Sequence, residues 1–479
     1  MKIYNTLSGK KEDLKLLNQK RLNFFVCGPT VYNSSHIGHA RTYVFFDTAV
    51  KYLRFAGYKV FYLQNITDID DKIINRANEL GQEPLFLSRH YTNEYFKDMQ
   101  ELRINSVSKY APASKFIPQI ITQIKTLIKK KYAYATPGGV YFDITKFPQY
   151  GKLSRQSLKS LKKAVRIEPD ANKRHDFDFV LWKAKKIGEP FWKSPWGDGR
   201  PGWHIEDTAI SEHFFGSQYD IHGGGVDLKF PHHESEIAQQ EAASGKIPFV
   251  KYWMHTGHLL VSGTKMSKSL KNFITIHDLL KKHSTEAFRL LVLQNHYRSP
   301  LNYTDKSIQA TEEGLKRIEE FMTRLKKIRN PKSEIPNKSK IQNSKLTQHV
   351  ILSQTKNLNE LLKKFTIAME NDFDTPKVIA GIFNFIKKIN GLIDKNLFST
   401  KEAANAIAAL KKIDIVLGIM PKIKEEEIPD AIKKLAEERE KYRKEKKWTE
   451  ADKIREKITR AGFIVEDMPT GLNIKKAGA

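Results

Sequence analysis

The first strong pattern is an apolar run, RLNFFVC (residues 21–27), too continuous to alternate between a wet face and a dry one. Such a run reads as a strand buried on both sides. A loop rich in Gly, Pro, Ser and Asn follows, then helical periodicity from about Ala40 to Phe55. After Gly57, YKVFYLQ reads as a second strand. Strand, loop, helix and strand open a doubly wound α/β domain with a Rossmann-type parallel sheet, whose ligands bind at the carboxyl ends of the strands. Strand-like segments return at YDIHGGG (219–225) and VKYWMHTGHLLV (250–261), with a helix between them from near Pro231.

The residues between, about 93–201, hold lysine-rich helices and short strands, among them a hairpin at YATPGGVYFDI and an irregular loop at SPWGDGRPGW. They read as an insertion in the α/β domain. Beyond Pro300 the period is helical, as in GLKRIEEFMTRLKKI and KVIAGIFNFIKKINGLI, with NPKSEIPNKSKIQNSK as an exposed loop. A charge-dense helical pattern starts near Ile428 and ends in a compact tail, GFIVEDMPTGLNIKK. The expected domains are an α/β domain over 1–300, a helical bundle over 301–425 and a small C-terminal domain over 426–479. No internal repeat is visible.

Composition narrows the class of protein. Of 479 residues, 82 are Lys or Arg and 54 Asp or Glu, a formal balance of +28 that favours a polyanionic partner. One cysteine, Cys27, rules out an internal disulfide framework and suits a reducing compartment. The N-terminus has no secretory h-region, and no apolar run approaches the roughly 20 residues that span a bilayer. A cytoplasmic protein without a membrane segment is expected.

Three motifs carry chemistry. In GPTVYNSSHIGHAR, His36 and His39 flank Gly38 where a helix begins, a position whose backbone N–H groups and dipole favour an anion. In GTKMSKSLKNF, Lys265 and Lys268 lie in a small, polar segment able to close over a triphosphate. In DIHGGGVDLKFPHHESEIAQQ, a glycine run permits close approach of a nucleotide, and Asp227 is placed to accept hydrogen bonds from a ribose. His232 and Glu236, four apart, suit two ligands of one metal ion, although by themselves such pairs more often share a hydrogen bond on a solvated face. Trp448, in the charge-dense stretch, reads as a core tryptophan before a residue for base stacking.

An HIGH-like loop, a KMSKS loop more than two hundred residues later and an α/β frame are the signature of a class I aminoacyl-tRNA synthetase. FFVCGPTVYNSSHIGHAR, NITDIDDKII, SPWGDGRPGWHIE, DIHGGGVDLKFPHHESEIAQ, KMSKSLKNF and EDMPTG together resemble the cysteinyl-tRNA synthetases over nearly the whole chain. The resemblance implies ATP-dependent activation of L-cysteine to cysteinyl-AMP and transfer to the 3′ end of tRNA(Cys) by a monomer. His36, His39, Lys265 and Lys268 would be catalytic. ATP would be held by these four with Gly28, Thr30, Gly38, Gly224, Gly225, Asp227 and Ser267, and magnesium would accompany it. Thr67 and Trp203 would line the cysteine pocket, and the C-terminal domain would read the anticodon.

The family's zinc ion, bound by two cysteines, a histidine and a glutamate, maps onto Cys27, His232 and Glu236. Its second cysteine does not carry over: the family's GWHIEC is GWHIED here, with Asp207 at that position. Asp207 either ligates zinc through oxygen or orients His232 from outside the ligand set. A ligase that passes cysteine to an amino sugar, as in mycothiol synthesis, is the alternative function; it needs neither an anticodon-reading tail nor so large a positive charge.

Overall fold

The protein is described from a computed structural model covering residues 1–18, 20–156, 171–267, 270, 272–329, 345–421, 429–468 and 471–476. Five parallel strands form its main sheet: β1 (Leu22–Val26), β2 (Val60–Ile66), β3 (Lys109–Pro112), β4 (Tyr219–Gly225) and β5 (Val250–Thr256). Their order across the sheet is β5-β4-β1-β2-β3, with every neighbouring pair parallel. The chain therefore starts in the middle, winds outward on one side and then on the other. The switch falls between β1 and β4, so the crevice beyond their carboxyl ends is the expected ligand position. Cys27 follows β1 directly, and the glycine run ends β4.

Helix α1 (Ile37–Phe55) follows β1, α2 (Ile205–Phe215) precedes β4, and α3 (His232–Ser244) joins β4 to β5. α1 starts three residues earlier than its periodicity suggests, because His36 caps it with its own ring. α1 is buried on nearly every side, which explains why its apolar residues form no clean stripe. α4 (Thr285–Leu293) packs against it, and Arg289 is buried between them. The Arg289 guanidinium pairs with Asp47 at 3.0 Å and donates to the carbonyls of Leu102 and Leu417.

A separate antiparallel sheet runs Ala133–Thr136, Gly139–Phe142, Phe179–Ala184 and Gly199–Pro201, in that order. The expected hairpin is its first pair. The expected span of the insertion, 93–201, contains β3, however, which belongs to the main sheet. That strand is four residues long, KYAP, with only Ala111 buried, so it has no apolar run to announce it.

The described helices after Pro300 are Asp305–Arg329, Lys345–Glu370, Thr375–Asp394, Thr400–Leu417, Asp430–Lys444 and Trp448–Arg460. The loop expected at 330–345 lies, but for its last residue, outside the described residues. By internal contacts one compact unit comprises Met1–Ile318, Asn359–Lys388 and Ala409–Met420, and a second comprises Glu319–Leu358, Ile389–Ala408 and Pro421–Ala479. Within the second, the last two helices and a hairpin, Phe463–Met468 with Gly471–Lys476, close around Ile432, Ala436, Ile454, Ile458 and Val465. Trp448 is not in that core. It is 56% exposed at the start of its helix, with the Arg443 guanidinium 5.4 Å from its ring. Among the described residues no helix is long and apolar enough to cross a membrane.

A candidate metal centre beside two paired loops

Cys27, Asp207, His232 and Glu236 converge from β1, α2 and α3, and all four are buried. The Cys27 Sγ lies 3.2 Å from Asp207 Oδ2 and 3.9 Å from Glu236 Oε1. His232 Nε2 lies 3.1 Å from Asp207 Oδ2 and 3.0 Å from Glu236 Oε1. Ligands of a tetrahedral ion at 2.0–2.3 Å are separated from one another by about 3.3–3.8 Å, so these spacings are close to those of a filled site. The solvated-face alternative for His232 and Glu236 fails, since their side chains are 2% and 0% exposed.

A second group, Cys27, His222, His233 and Glu236, shares the thiol and the glutamate. His222 Nε2 and His233 Nε2 sit 3.2 and 3.1 Å from Cys27 Sγ. Their other nitrogens are engaged, His222 Nδ1 with the Tyr219 hydroxyl at 2.6 Å and His233 Nδ1 with His255 Nε2 at 2.8 Å. Neither histidine was singled out from the sequence. The sequence holds them in DIHGGG and FPHH, but no spacing along the chain relates either one to Cys27, since they meet it only across the sheet.

The electrostatics explain why such a cluster needs a cation. Burial raises the Cys27 thiol well above its ordinary pKa, and the Asp207 and Glu236 carboxylates push it further. Glu236 is raised by burial and by Asp207, and neighbouring Glu206 likewise. Burial holds His222, His233 and His204 well below the usual imidazole value, and His255 is lowered to about 3. Three acids, Cys27, Asp207 and Glu236, converge with no lysine or arginine ion pair among the described residues, which fits a divalent cation, whose charge inverts this logic. Glu236 Oε2 is buried without a hydrogen-bond partner, 3.4 Å from His222 Nδ1 but outside bonding geometry. The buried cluster thus suggests a metal site.

The two loops lie together. Beyond the KMSKS segment the chain pairs with the HIGH-like loop: Ile37 N–H donates to Ile274 O at 3.1 Å and Ile276 N–H to Ser35 O at 2.9 Å. Phe273 meets the His36 ring edge-on at 5.4 Å. The His36 and His39 rings stack with centroids 3.7 Å apart. His36 Nδ1 accepts from the backbone N–H of Gly38 (3.1 Å) and His39 (3.3 Å), while His39 Nδ1 accepts from His36 N–H at 3.4 Å. Those amides are therefore engaged in the cap and are not the free anion donors expected. Because both Nδ1 atoms accept, each ring carries its proton on Nε2. Burial keeps both rings neutral at pH 7, with His36 lowered to about 4 and His39 well below its usual value.

Gly38 has a local reason too: a Cβ there would stand 2.8 Å from His36 Nδ1, and 3.6 Å from Met266 Cε of the other loop. Lys265 is exposed on the short strand Thr264–Lys265, paired with Leu259–Val261. Asn272 Oδ1 receives the Ser267 amide at 2.8 Å. Lys268 lies outside the described residues.

Gly28 presses so closely on Asn65 of β2 that its amide bonds the Asn65 side chain at 2.6 Å. Thr30 pairs with Thr67 in a parallel bridge, and the Thr67 hydroxyl donates to Glu206. Trp203 stacks on His232 at 4.2 Å. Gly224 packs against His233, and Gly225 precedes the short 3-10 turn that holds Asp227. From α1, the Tyr43 hydroxyl reaches Cys27 O at 3.2 Å while its ring lies parallel to His39, linking cluster and loop by one helical turn.

Residues 13–313 match the family model for the tRNA synthetases class I (C) catalytic domain, 364–421 the DALR domain, and 425–473 the cysteinyl-tRNA ligase anticodon binding domain. The chain is 43% identical over 485 residues to the cysteine–tRNA ligase of Carboxydothermus hydrogenoformans, covering 99% of this chain and 100% of that one. The cysteine–tRNA ligase of Thermoplasma volcanium is 45% identical over 472 residues, 98% of each. The fold is shared with the methionyl-tRNA synthetase of Mycobacterium tuberculosis solved with methionyl-adenylate, at a TM-score of 0.61 and 13% identity over 83% of this chain and 90% of that one. It is also shared with the leucyl-tRNA synthetase AgnB2 of Agrobacterium radiobacter K84, solved in a ternary complex, at a TM-score of 0.60 and 13% identity over 84% of each chain.

Proposed function

From the premise that this chain belongs to the cysteine–tRNA ligases, a family of class I aminoacyl-tRNA synthetases, we propose how its own residues perform the reaction. The activity is that of an ATP-dependent ligase. Cysteine and ATP yield cysteinyl-AMP and pyrophosphate, and the cysteinyl group then passes to the 3′ end of tRNA(Cys), releasing AMP. The observation that carries the site assignment is the backbone pairing of Ser35 and Ile37 with Ile274 and Ile276, which supports reading both signature loops as sides of one crevice beside the buried cluster.

ATP lies against the carboxyl ends of β1 and β4, bounded by Gly28, Thr30, Gly38, Gly224, Gly225, Asp227 and Ser267. The cysteine carboxylate attacks the α-phosphate, so negative charge grows on phosphate oxygens and the leaving pyrophosphate. His36 and His39 meet it as neutral donors through Nε2–H, and Lys265 and Lys268 as cations from the adjoining loop. Neutral donors suit this step: they need no counterion in the free enzyme and keep their geometry without reorganising. No protein nucleophile is required. Magnesium accompanies ATP.

Cys27, Asp207, His232 and Glu236 would hold zinc. When bound, the ion supplies a position for the thiolate of cysteine, a soft donor that the hydroxyl of serine cannot replace. Trp203, stacked on His232, and Thr67, fixed to Glu206, wall the side-chain pocket. Asp207 reads as a ligand because it faces the same nitrogen of His232, Nε2, that faces Glu236, whereas Nδ1 meets His204 at 2.8 Å. A group that only oriented His232 would occupy the Nδ1 side.

By function the chain divides into a catalytic segment over 1–300, a helical segment over 301–425 that cradles the tRNA, and an anticodon-reading segment over 426–479. It works as a cytoplasmic monomer. Charging of a tRNA(Cys) transcript with radiolabelled cysteine tests the reading. Acid-stable attachment to an amino sugar, with no charged tRNA, would replace it by the mycothiol-type ligase.

A further inference from the structure

The donor atoms of the Cys27/Asp207/His232/Glu236 cluster are one sulfur, one nitrogen and two carboxylate oxygens. Asp207 is set up as a ligand. The Asn65 amide holds its Oδ1 at 2.5 Å, and Asn65 is itself held by the Gly28 amide at 2.6 Å. That leaves Oδ2 aimed at Cys27 Sγ and His232 Nε2. It stands in the first turn of α2, where the helix dipole favours a carboxylate. Sulfur donors favour zinc over harder ions, whereas carboxylates accept manganese and cobalt readily.

We infer that Asp207 makes this an oxygen-rich, one-thiolate centre that accepts harder divalent ions, cobalt and manganese, alongside zinc. The inference deepens the proposed zinc reading and rests on it. Charge alone would not reveal the difference, since an aspartate and a thiolate each bring one negative charge; the difference lies in donor softness. On binding, the Cys27 thiol gives up its proton to solvent, and the ion replaces it on sulfur.

The test uses the full chain, stripped of metal and reloaded from mixtures of zinc and cobalt, with bound metal read by elemental analysis. Wild type should prefer zinc over cobalt by about tenfold less than Asp207→Cys does. In the cobalt forms, the near-ultraviolet sulfur-to-cobalt absorption per bound ion should be about twice as strong in Asp207→Cys as in wild type, as one thiolate becomes two. Asp207→Asn, equal in size, should keep the thermal midpoint of the stripped protein and lose about 10–100-fold in affinity for both ions. An unchanged zinc-to-cobalt preference and unchanged absorption in Asp207→Cys would overturn the inference and leave the metal reading intact. Full metal retention in Asp207→Asn with loss in His233→Gln would overturn it by moving the ion to the His222/His233 side. Absence of stoichiometric metal from wild type under every loading would overturn the metal reading itself.

Discussion

His36 does two jobs with one ring: its Nδ1 caps α1, and that bond leaves the Nε2–H as the donor available to a ligand. Gly38 is needed for the arrangement, because any Cβ would push on the ring. Gly38→Ala should therefore lower kcat/KM for cysteine activation by about 100-fold through misplacement of His36, with little loss of thermal stability. Pyrophosphate-exchange kinetics beside a melting curve check this, and unaltered kinetics would refute it. The same burial carries a pH dependence. An imidazole at its ordinary 6.5 in the unfolded chain is held at about 4 in the fold, so between these values the unfolded state binds more protons. Stability is unaffected above pH 6.5 and falls as pH drops towards 4, by about 2 kcal/mol for His36 between pH 7.5 and 5. His36→Asn should make urea unfolding of the metal-stripped protein less acid-sensitive by about one proton, and an identical pH slope would contradict the assignment. At this scale the sequence revealed which residues matter more readily than what each does. That His36 uses up the helix-start amides depends on a ring folding back three residues, which no spacing encodes.

At the scale of elements, β1, β2, β4 and β5 were legible because buried parallel strands are written as apolar runs, while β3 was not, being four residues with one buried side chain. The motifs placed Cys27 and the two histidines at the carboxyl end of β1, where they are found. Neither His222 nor His233 was found in advance, since their role depends on β4 and α3 meeting Cys27 across the sheet. Nor did any pattern announce Arg289, buried with Asp47 and bonded to the last turn of the helix Thr400–Leu417. Arg289→Met should destabilise the protein by about 1–3 kcal/mol, because buried Asp47 keeps only Lys51, at 2.8 Å, as an ion-pair partner and the carbonyls of Leu102 and Leu417 lose their donor. Adding Asp47→Asn should restore part of that loss. Urea unfolding of the two variants decides, and a single variant as stable as wild type would show that the ion pair is not a structural tie.

Over the whole molecule, the charge of +28 is absorbed by a family whose partner is tRNA. Affinity for tRNA should accordingly fall steeply with salt, while cysteine activation, which involves only small ligands, should change little. The exposure of Trp448 could not be read from its charge-dense surroundings, where an amphipathic helix and a nucleic-acid surface look alike. Being 56% exposed beside Arg443, it offers a face on which a base can stack. Trp448→Ala should raise KM for tRNA(Cys) by about tenfold and leave pyrophosphate exchange unaltered; equal losses in both would make it a structural residue instead. The central claim is that one crevice, formed by the paired loops and the buried cluster, activates cysteine in particular. Its most direct measurement is ATP–pyrophosphate exchange by the metal-loaded protein with cysteine and with serine as alternative substrates. The account predicts exchange that depends on cysteine and is at least about 1,000-fold weaker in kcat/KM with serine; exchange that is equal for the two, or independent of cysteine, would contradict it.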